Sequence, residues 1–271
     1  MKLTVAAIQL KPEKTIDANL RSAEGFLKDC ADAGVQLAVL PENFAHYGQT
    51  DFLQIGRDES DDQGPVRRFL SLQAARHRMW LVAGTIPVAG LNPRPYSRSL
   101  LFNPLGEEVD HYDKIHLFDV DVAAQGQQAA YRESDDFSPG KRVAAVDTDF
   151  GRLGLTVCYD LRFAELYQQL AQADAHIIAV PAAFTAATGQ HHWEVLLRAR
   201  AIENQVFMIG ANLVDRANSK RGLWGGSMIV DPWGTVLASF EDEVGSVIAE
   251  LDTAMIGSVR AKMPVDKHRR L

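Results

Sequence analysis

Apolar positions along the chain follow two periods in turn, and the alternation predicts strands and helices from one end to the other. Leu3 to Leu10 is apolar apart from Thr4 and Gln9 and reads as a first strand. From Asp17 to Ala33, residues Leu20, Ala23, Leu27, Cys30 and Ala31 fall on one helical face, and Gly34 stands where a C-cap belongs. Leu37 to Leu40 is a short continuous apolar run, as expected of a strand covered on both faces, and it stops abruptly at Pro41-Glu42. Pro65 suits the first position of a second helix reaching Arg78, after which Trp80 to Ile86 returns as a strand. Ser99 to Phe102 and Glu108 to Ile115 flank the turn signal Asn103-Pro104-Leu105-Gly106 and predict a hairpin, with Lys114 at its far end.

The segment from Phe118 to Lys141 breaks this pattern. It is polar, is interrupted by Gly126, Pro139 and Gly140, and reads as a long loop of the kind that is usually functional or disordered. Beyond it, Val143 to Val146 and Arg152 to Val157 predict two strands joined around Gly151, followed by a helix from Leu161 to Ala173 and a strand from His176 to Val180. Trp193 to Gln205 predicts a helix with Val195, Leu196, Ala199 and Ile202 turned inward. Phe207 to Leu213, Gly226 to Val230, Val236 to Phe240 and Gly245 to Leu251 continue as strands, with Asp231-Pro232-Trp233-Gly234 as a hairpin turn. Asp252 is placed to N-cap a last helix that ends before Pro264. With no linker and no internal repeat, residues 1–271 read as one layered α/β domain.

Composition narrows the class. A chain of 271 residues can bury a sizeable core, and 46% hydrophobic with 23% charged residues disfavours collagen, coiled coil and wholesale disorder. The 28 basic against 35 acidic residues give a net charge of -7, which disfavours a nucleic-acid or anionic-membrane partner and leaves a small molecule. No apolar run approaches the ~18 residues of a membrane span, and charged residues instead of a cleavage site follow Leu10, so a cytoplasmic location is expected. Cys30 and Cys158 allow one disulfide at most, which fits a reducing compartment.

Three residues stand out chemically. In Gly154-Leu-Thr-Val-Cys158-Tyr-Asp-Leu-Arg the thiol sits at a strand end, just before a helix whose free N–H groups would favour a thiolate and a developing oxyanion. Cys30, by contrast, lies on a buried helical stripe. Glu42 is a carboxylate where a buried strand leaves its sheet, partly desolvated and suited to general base work. Lys114, among apolar and aromatic neighbours, could donate to an oxyanion or pair with a carboxylate. Each alone is more often structural, but the three end different predicted strands of an alternating α/β chain, where ligand sites gather. His191 and His192 are adjacent and point apart on either a strand or a helix, so with no paired His or Cys spacing elsewhere no metal is expected. Gly222 to Gly226, with Trp224 inside, lacks the Lys-Ser/Thr of a phosphate loop.

Pro41-Glu42-Asn-Phe, Tyr112-Asp-Lys114-Ile-His-Leu-Phe-Asp and Val157-Cys158-Tyr-Asp-Leu-Arg162-Phe resemble, in order and spacing, the Glu, Lys and Cys motifs of the nitrilase superfamily of carbon–nitrogen hydrolases. The resemblance extends over nearly the whole chain, through Tyr131-Arg-Glu133-Ser before Ser138-Pro-Gly, Pro181-Ala-Ala-Phe184-Thr185, Asp231-Pro-Trp-Gly and His268-Arg-Arg. It implies a four-layer α-β-β-α sandwich that pairs into dimers and needs no cofactor. It also implies hydrolysis of a small carboxylated amide, with release of ammonia, through a cysteine thioester. On that reading Cys158 is the nucleophile and Glu42 the general base, Lys114 and the Tyr159 N–H stabilise the oxyanion, and Glu133 positions lysine and substrate. Phe184 and Thr185 are implied to contact substrate, and Arg162 to anchor its carboxylate. Arg198 or Arg200 are further anchor candidates or members of a salt-bridged helix face. His192 to Glu203 is most similar to the deaminated glutathione amidase branch, with the ω-amidases as near relatives; nitrile hydrolysis and a non-catalytic binding module are the lesser readings. The branch usually carries proline where this chain has Ala164. Subunit contacts are expected at Leu161 to Leu170 and Met263 to Leu271.

Overall fold

The computed structural model describes residues 1–61, 64–124, 127–217 and 222–270. Its first part runs β1 (Lys2–Gln9), α1 (Ile16–Asp32), β2 (Leu37–Val39), α2 (Phe52–Asp58), α3 (Pro65–His77), β3 (Trp80–Val82), β4 (Ile86–Val88), β5 (Tyr96–Phe102) and β6 (Glu108–Asp113). The ribbon of β7 (Asp119–Ala124) and β8 (Gln127–Arg132) follows. Then come β9 (Ala144–Thr148), β10 (Gly151–Leu155), α4 (Ala164–Gln172), β11 (Ile177–Ala182), α5 (Ala186–Asn204) and β12 (Phe207–Asn212). The chain closes with β13 (Val214–Asp215), β14 (Leu223–Trp224), β15 (Met228–Val230), β16 (Val236–Ser239), β17 (Gly245–Asp252), α6 (Ala254–Lys262) and α7 (Val265–His268).

Among the described residues the strands form two main sheets. The first has the order β17-β1-β2-β3-β5-β4, with β6 paired to β5, and the second β16-β15-β12-β11-β10-β9. Each is built on three parallel strands, β1, β2 and β3 in one and β10, β11 and β12 in the other, and parallel strands need cover on both faces. The period of two supplies it. Val5, Ala7, Leu37, Val39 and Val82 share a core with Leu153, Leu155, Ile177 and Ala179 of the second sheet, where β2 packs on β11 and β12. Ala6, Ile8, Ala38, Leu40 and Leu81 face the other way, onto Ala23, Leu27 and Cys30 of α1 and Val66 and Leu70 of α3. The far side of the second sheet is covered by Leu166 and Leu170 of α4 and Trp193 and Leu197 of α5. Gly210 permits that approach, since a Cβ there would stand 2.8 Å from both Leu197 Cδ1 and Trp193 Cζ2. The layers are therefore α-β-β-α, as the resemblance implies.

Several expectations are corrected. Phe118 to Lys141 is not a structureless loop: β7 and β8 pair antiparallel from Asp119↔Arg132 to Ala124↔Gln127, and a 3₁₀ turn over Glu133–Asp135 follows. A ribbon outside both main sheets has no core face to fill, so its strands lack the apolar signal; Gly126 lies outside the described residues. Helix α5 begins at Ala186 and turns Trp193, Leu197, Arg200 and Ala201 inward, whereas Val195 and Ile202 are 65% and 42% exposed. The buried stripe was disguised because it carries Arg200, whose guanidinium is satisfied internally by the Leu161 carbonyl and Glu203. Trp80 to Ile86 divides into β3 and β4 around Gly84, at φ +58, where a Cβ would run into the Pro41 carbonyl. Thr253, not Asp252, caps α6, although the Asp252 carboxylate still accepts the Ala254 N–H at 3.1 Å. Leu161, Leu166 and Leu170 are buried in the chain's own core, while Glu165 of the same segment is exposed; Leu271 lies outside the described residues. Among the described residues no helix is long and apolar enough to cross a membrane.

Candidate active site

Three chain segments deliver the site to the carboxyl ends of strands from both sheets. Glu42 follows β2 and is held by a turn at Asn43, whose φ is +52 and whose N–H donates to Thr85 Oγ1 at 3.0 Å. Lys114 follows β6, its own N–H donating to the Ser97 carbonyl at 3.0 Å. Cys158 follows β10, at the start of a 3₁₀ turn over Cys158–Arg162. Its φ of +46 lies in the left-handed region, which for a residue with a side chain costs about 1–3 kcal/mol and produces the sharp elbow that aims Sγ away from the sheet.

The side chains converge on one ammonium. Lys114 Nζ donates to Glu42 Oε1 at 2.8 Å and to Glu133 Oε1 and Oε2 at 2.9 and 2.8 Å. Burial alone would lower the Lys114 pKa, but the Glu133 and Glu42 charges outweigh it and hold the amine well above the usual lysine value. Burial pushes the Glu133 carboxyl up while Lys114 pulls it back, and its Oε2 also accepts the Phe118 N–H at 2.7 Å. Phe118 and Glu133 flank the β7–β8 ribbon, so the ribbon's closed base is what presents Glu133. Glu42 Oε2 accepts the Ala183 N–H, just past β11, at 2.9 Å.

Cys158 lines the same cavity as Glu42 and Lys114. Burial, then the Glu42 charge, holds its pKa well above the usual thiol value, with Lys114 opposing. The sequence predicts helix N–H groups favouring a thiolate; in the fold burial and then the Glu42 charge push the thiol the other way. The arrangement is a thiol and a carboxylate lining one cavity, with an ammonium and the Tyr159 N–H at the first turn of the 3₁₀ segment, where helical donors lack an internal acceptor.

A cavity of about 590 Å³ opens over this group, walled by Phe118, Tyr131, Arg162, Phe184 and Thr185 among others. Arg162 lies over the Phe184 ring at 4.9 Å and donates to His192 Nδ1 at 3.1 Å. Thr185 is the N-cap residue of α5, its hydroxyl 2.8 Å from that of Thr188. Thus Glu42, Lys114, Glu133, Cys158, Tyr159, Arg162, Phe184 and Thr185 share one cavity. Arg198 and Arg200 do not line it: Arg198 donates to the Gly234 carbonyl and Glu194, and Arg200 lies over Tyr167. Among the described residues no group of three or more His, Cys, Asp or Glu is placed to hold a metal ion.

The carbon–nitrogen hydrolase family profile matches residues 4–261. The chain belongs to the carbon–nitrogen hydrolase family. It is 39% identical over 268 residues to a deaminated glutathione amidase of Yersinia enterocolitica, covering 98% of this chain and 92% of that protein. It is 34% identical to the omega-amidase NIT2 of Danio rerio, covering 99% and 95%. The crystal structure of Saccharomyces cerevisiae Nit3, a member of branch 10 of the nitrilase superfamily, superposes with a TM-score of 0.87 at 33% identity over 100% of this chain and 97% of that one.

Around the centre of this carbon–nitrogen hydrolase stand residues to which the sequence assigned no role. Asp160, wholly buried, accepts hydrogen bonds from Tyr112 and His116 and from the Val157 N–H. Tyr112, Asp160 and His116 all fall inside the lysine and cysteine motifs, but only the fold brings the two motifs together. Ala164 is the first residue of α4, the position at which proline's fixed φ is pre-organised, so alanine keeps the helix start with less rigidity.

Proposed function

We propose that the chain is a thiol amidohydrolase in which Cys158, Glu42 and Lys114 carry out acyl transfer to water. The observation that supports this most is the Lys114 ammonium bridging the Glu42 and Glu133 carboxylates in the cavity that the Cys158 thiol also lines. Sγ attacks the amide carbon as Glu42 takes its proton, and the carbonyl oxygen gathers negative charge against Lys114 Nζ and the Tyr159 N–H. The C–N bond breaks as Glu42 returns the proton to nitrogen, and the amine leaves. Glu42 then deprotonates water, which cleaves the thioester, and the proton passes back to Sγ. Glu133 holds Lys114 in place through both carboxylate oxygens.

Deaminated glutathione is the substrate this reading favours. The relatives named for that activity, at 38–39% identity, support it, as does a cavity of about 590 Å³ with Arg162 in its wall, large for a short keto acid alone. The departing amine is then cysteinylglycine. With α-ketoglutaramate, the alternative that the NIT2 similarity favours, it is ammonia, and both substrates give 2-oxoglutarate. Release of 2-oxoglutarate from the two amides, beside a simple nitrile and with Cys158→Ser as control, tests the proposal. Faster turnover of deaminated glutathione, abolished by the substitution, is expected; turnover of the nitrile alone would overturn the substrate assignment.

We further infer that residues 1–271 act as a single domain in the cytoplasm, where the free thiols of Cys30 and Cys158 stay reduced, and that it pairs into a homodimer. Exposed Val195 on α5 and Trp233 in the β15–β16 turn support pairing. Sedimentation showing only monomer at micromolar concentration would overturn it.

A further inference from the structure

Asp160 has no exposed surface and carries four donors on two oxygens. Oδ2 accepts the Tyr112 hydroxyl at 2.8 Å and the Val157 N–H at 2.9 Å. Oδ1 accepts the His116 N–H at 3.1 Å and faces His116 Nδ1 at 2.7 Å. Tyr112 and His116 stand two residues before and two after Lys114, and Val157 immediately precedes Cys158. One carboxylate therefore clamps the lysine segment on both sides of Lys114 and ties it to the residue before the nucleophile. The surrounding contacts stiffen the clamp: the His116 ring stacks on Phe163 at 3.6 Å and 6°, and the Tyr112 hydroxyl also accepts the Ile115 N–H at 3.3 Å.

We propose that Asp160 is a positioning residue that sets the distance between Lys114 Nζ and the reacting carbon on Cys158. The proposal rests on the acyl-transfer reading above. The Lys114 ammonium is held by carboxylates from its own sheet side and from the ribbon, Glu42 and Glu133, and its backbone by Ser97 and Gly140, none of which ties it to the Val157 N–H before the Cys158 elbow. Asp160 bonds the backbone N–H groups of both the lysine segment, at His116, and the nucleophile turn, at Val157, through one rigid side chain, and a misplacement of about 1 Å in such a constellation costs ~100-fold in rate.

Asparagine makes the test sharp. It has one acceptor oxygen, and its NH₂ must face either the Val157 N–H or the His116 N–H, so each orientation leaves one of these backbone donors unbonded, at the cysteine end or at the lysine end. Asp160→Asn is expected to lower kcat for 2-oxoglutarate release ~100-fold with KM within about threefold, because Arg162 and the cavity wall are untouched. Tyr112→Phe removes one donor, keeps the ring buried, and is expected to lower kcat about tenfold. It serves if Asp160→Asn does not fold.

A substrate-independent readout is the pH profile of Cys158 alkylation by iodoacetamide. The charged groups around the thiol are Glu42 and Lys114, with Glu133 behind the lysine and Arg162 beside the turn. Lys114 is the cation that lowers the thiol's pKa, so its displacement should move the profile to higher pH in both variants. A purely structural role would lower the melting temperature while leaving kcat per titrated thiol and the alkylation profile as in wild type, and that result would overturn the proposal. Cys158→Ser separates the two failures. If it stays active, the acyl-transfer reading is wrong; if it is dead while Asp160→Asn turns over normally, only the positioning role falls.

Discussion

At the scale of single residues, Lys114 decides the electrostatics of the site. Its side chain is 2% exposed, and its charge is what allows Glu42 and Glu133 to approach one another in a dry environment. Lys114→Met should lower kcat by about 100- to 1,000-fold, the range for removing one oxyanion donor, or about 2.7–4 kcal/mol. Stability should gain a pH slope as well. Burial raises the Glu133 pKa above its ordinary 4.5, so as pH rises from 4.5 the folded chain holds a proton that the unfolded chain has lost, and stability falls through that window. Lys114 narrows the window by pulling Glu133 down, and it is charged in both states there, adding no slope itself. Thermal melts across a pH series should show the gap between Lys114→Met and wild type widening from about pH 4.5 upward; a constant gap would sink this account. Glu42, Lys114 and Cys158 were legible in the sequence because each ends a strand and carries reactive chemistry. Asp160 was not, since its partners Tyr112 and His116 lie 48 and 44 positions away and its chemistry is to bond, not to react.

At the scale of elements, what the sequence hid was mostly polar contact at element ends. Pro65 marked the start of α3, yet the residue before it is Gly64, which has no side chain to cap with. The cap comes from Glu59, buried to 1% exposure, whose Oε1 and Oε2 accept the Val66 and Arg67 N–H groups at 2.8 and 3.0 Å. A partner six positions before Pro65 matches no local capping pattern. Glu59→Ala leaves two helix donors without acceptors in a buried place, at a cost of about 1–3 kcal/mol each. The chemical denaturation midpoint should fall accordingly, while kcat per titrated thiol stays at the wild-type value because α3 lies in the outer layer away from Cys158. The ribbon of β7 and β8 was hidden for a related reason: its shape comes from cross-strand pairing, and its Tyr131 faces the cavity instead of a core.

At the scale of the whole molecule, the site is a joint between two sheets. Glu42 and Lys114 leave strands of the first sheet, whereas Cys158 and Ala183 leave strands of the second, so the separation of base and nucleophile is set by how the inner faces pack. The layered order was legible from the alternation of strand and helix, but which strands face one another was not, because period-two burial on both faces gives identical patterns for the inner and outer sides. This predicts an asymmetry between cores of equal burial. Leu153, between the sheets, and Leu27, on the buried face of α1, are both fully buried, and each Leu→Ala change should cost about 2–5 kcal/mol of stability. Leu153→Ala opens a void between the sheets that carry the two halves of the site, and should lower kcat per titrated thiol at temperatures where the protein is fully folded. Leu27→Ala opens its void beneath the outer helices and should leave that quantity unchanged. Equal kcat in the two variants, at matched distance below their melting temperatures, would mean that local bonds such as those of Asp160, and not the packing of the sheets, hold base and nucleophile together.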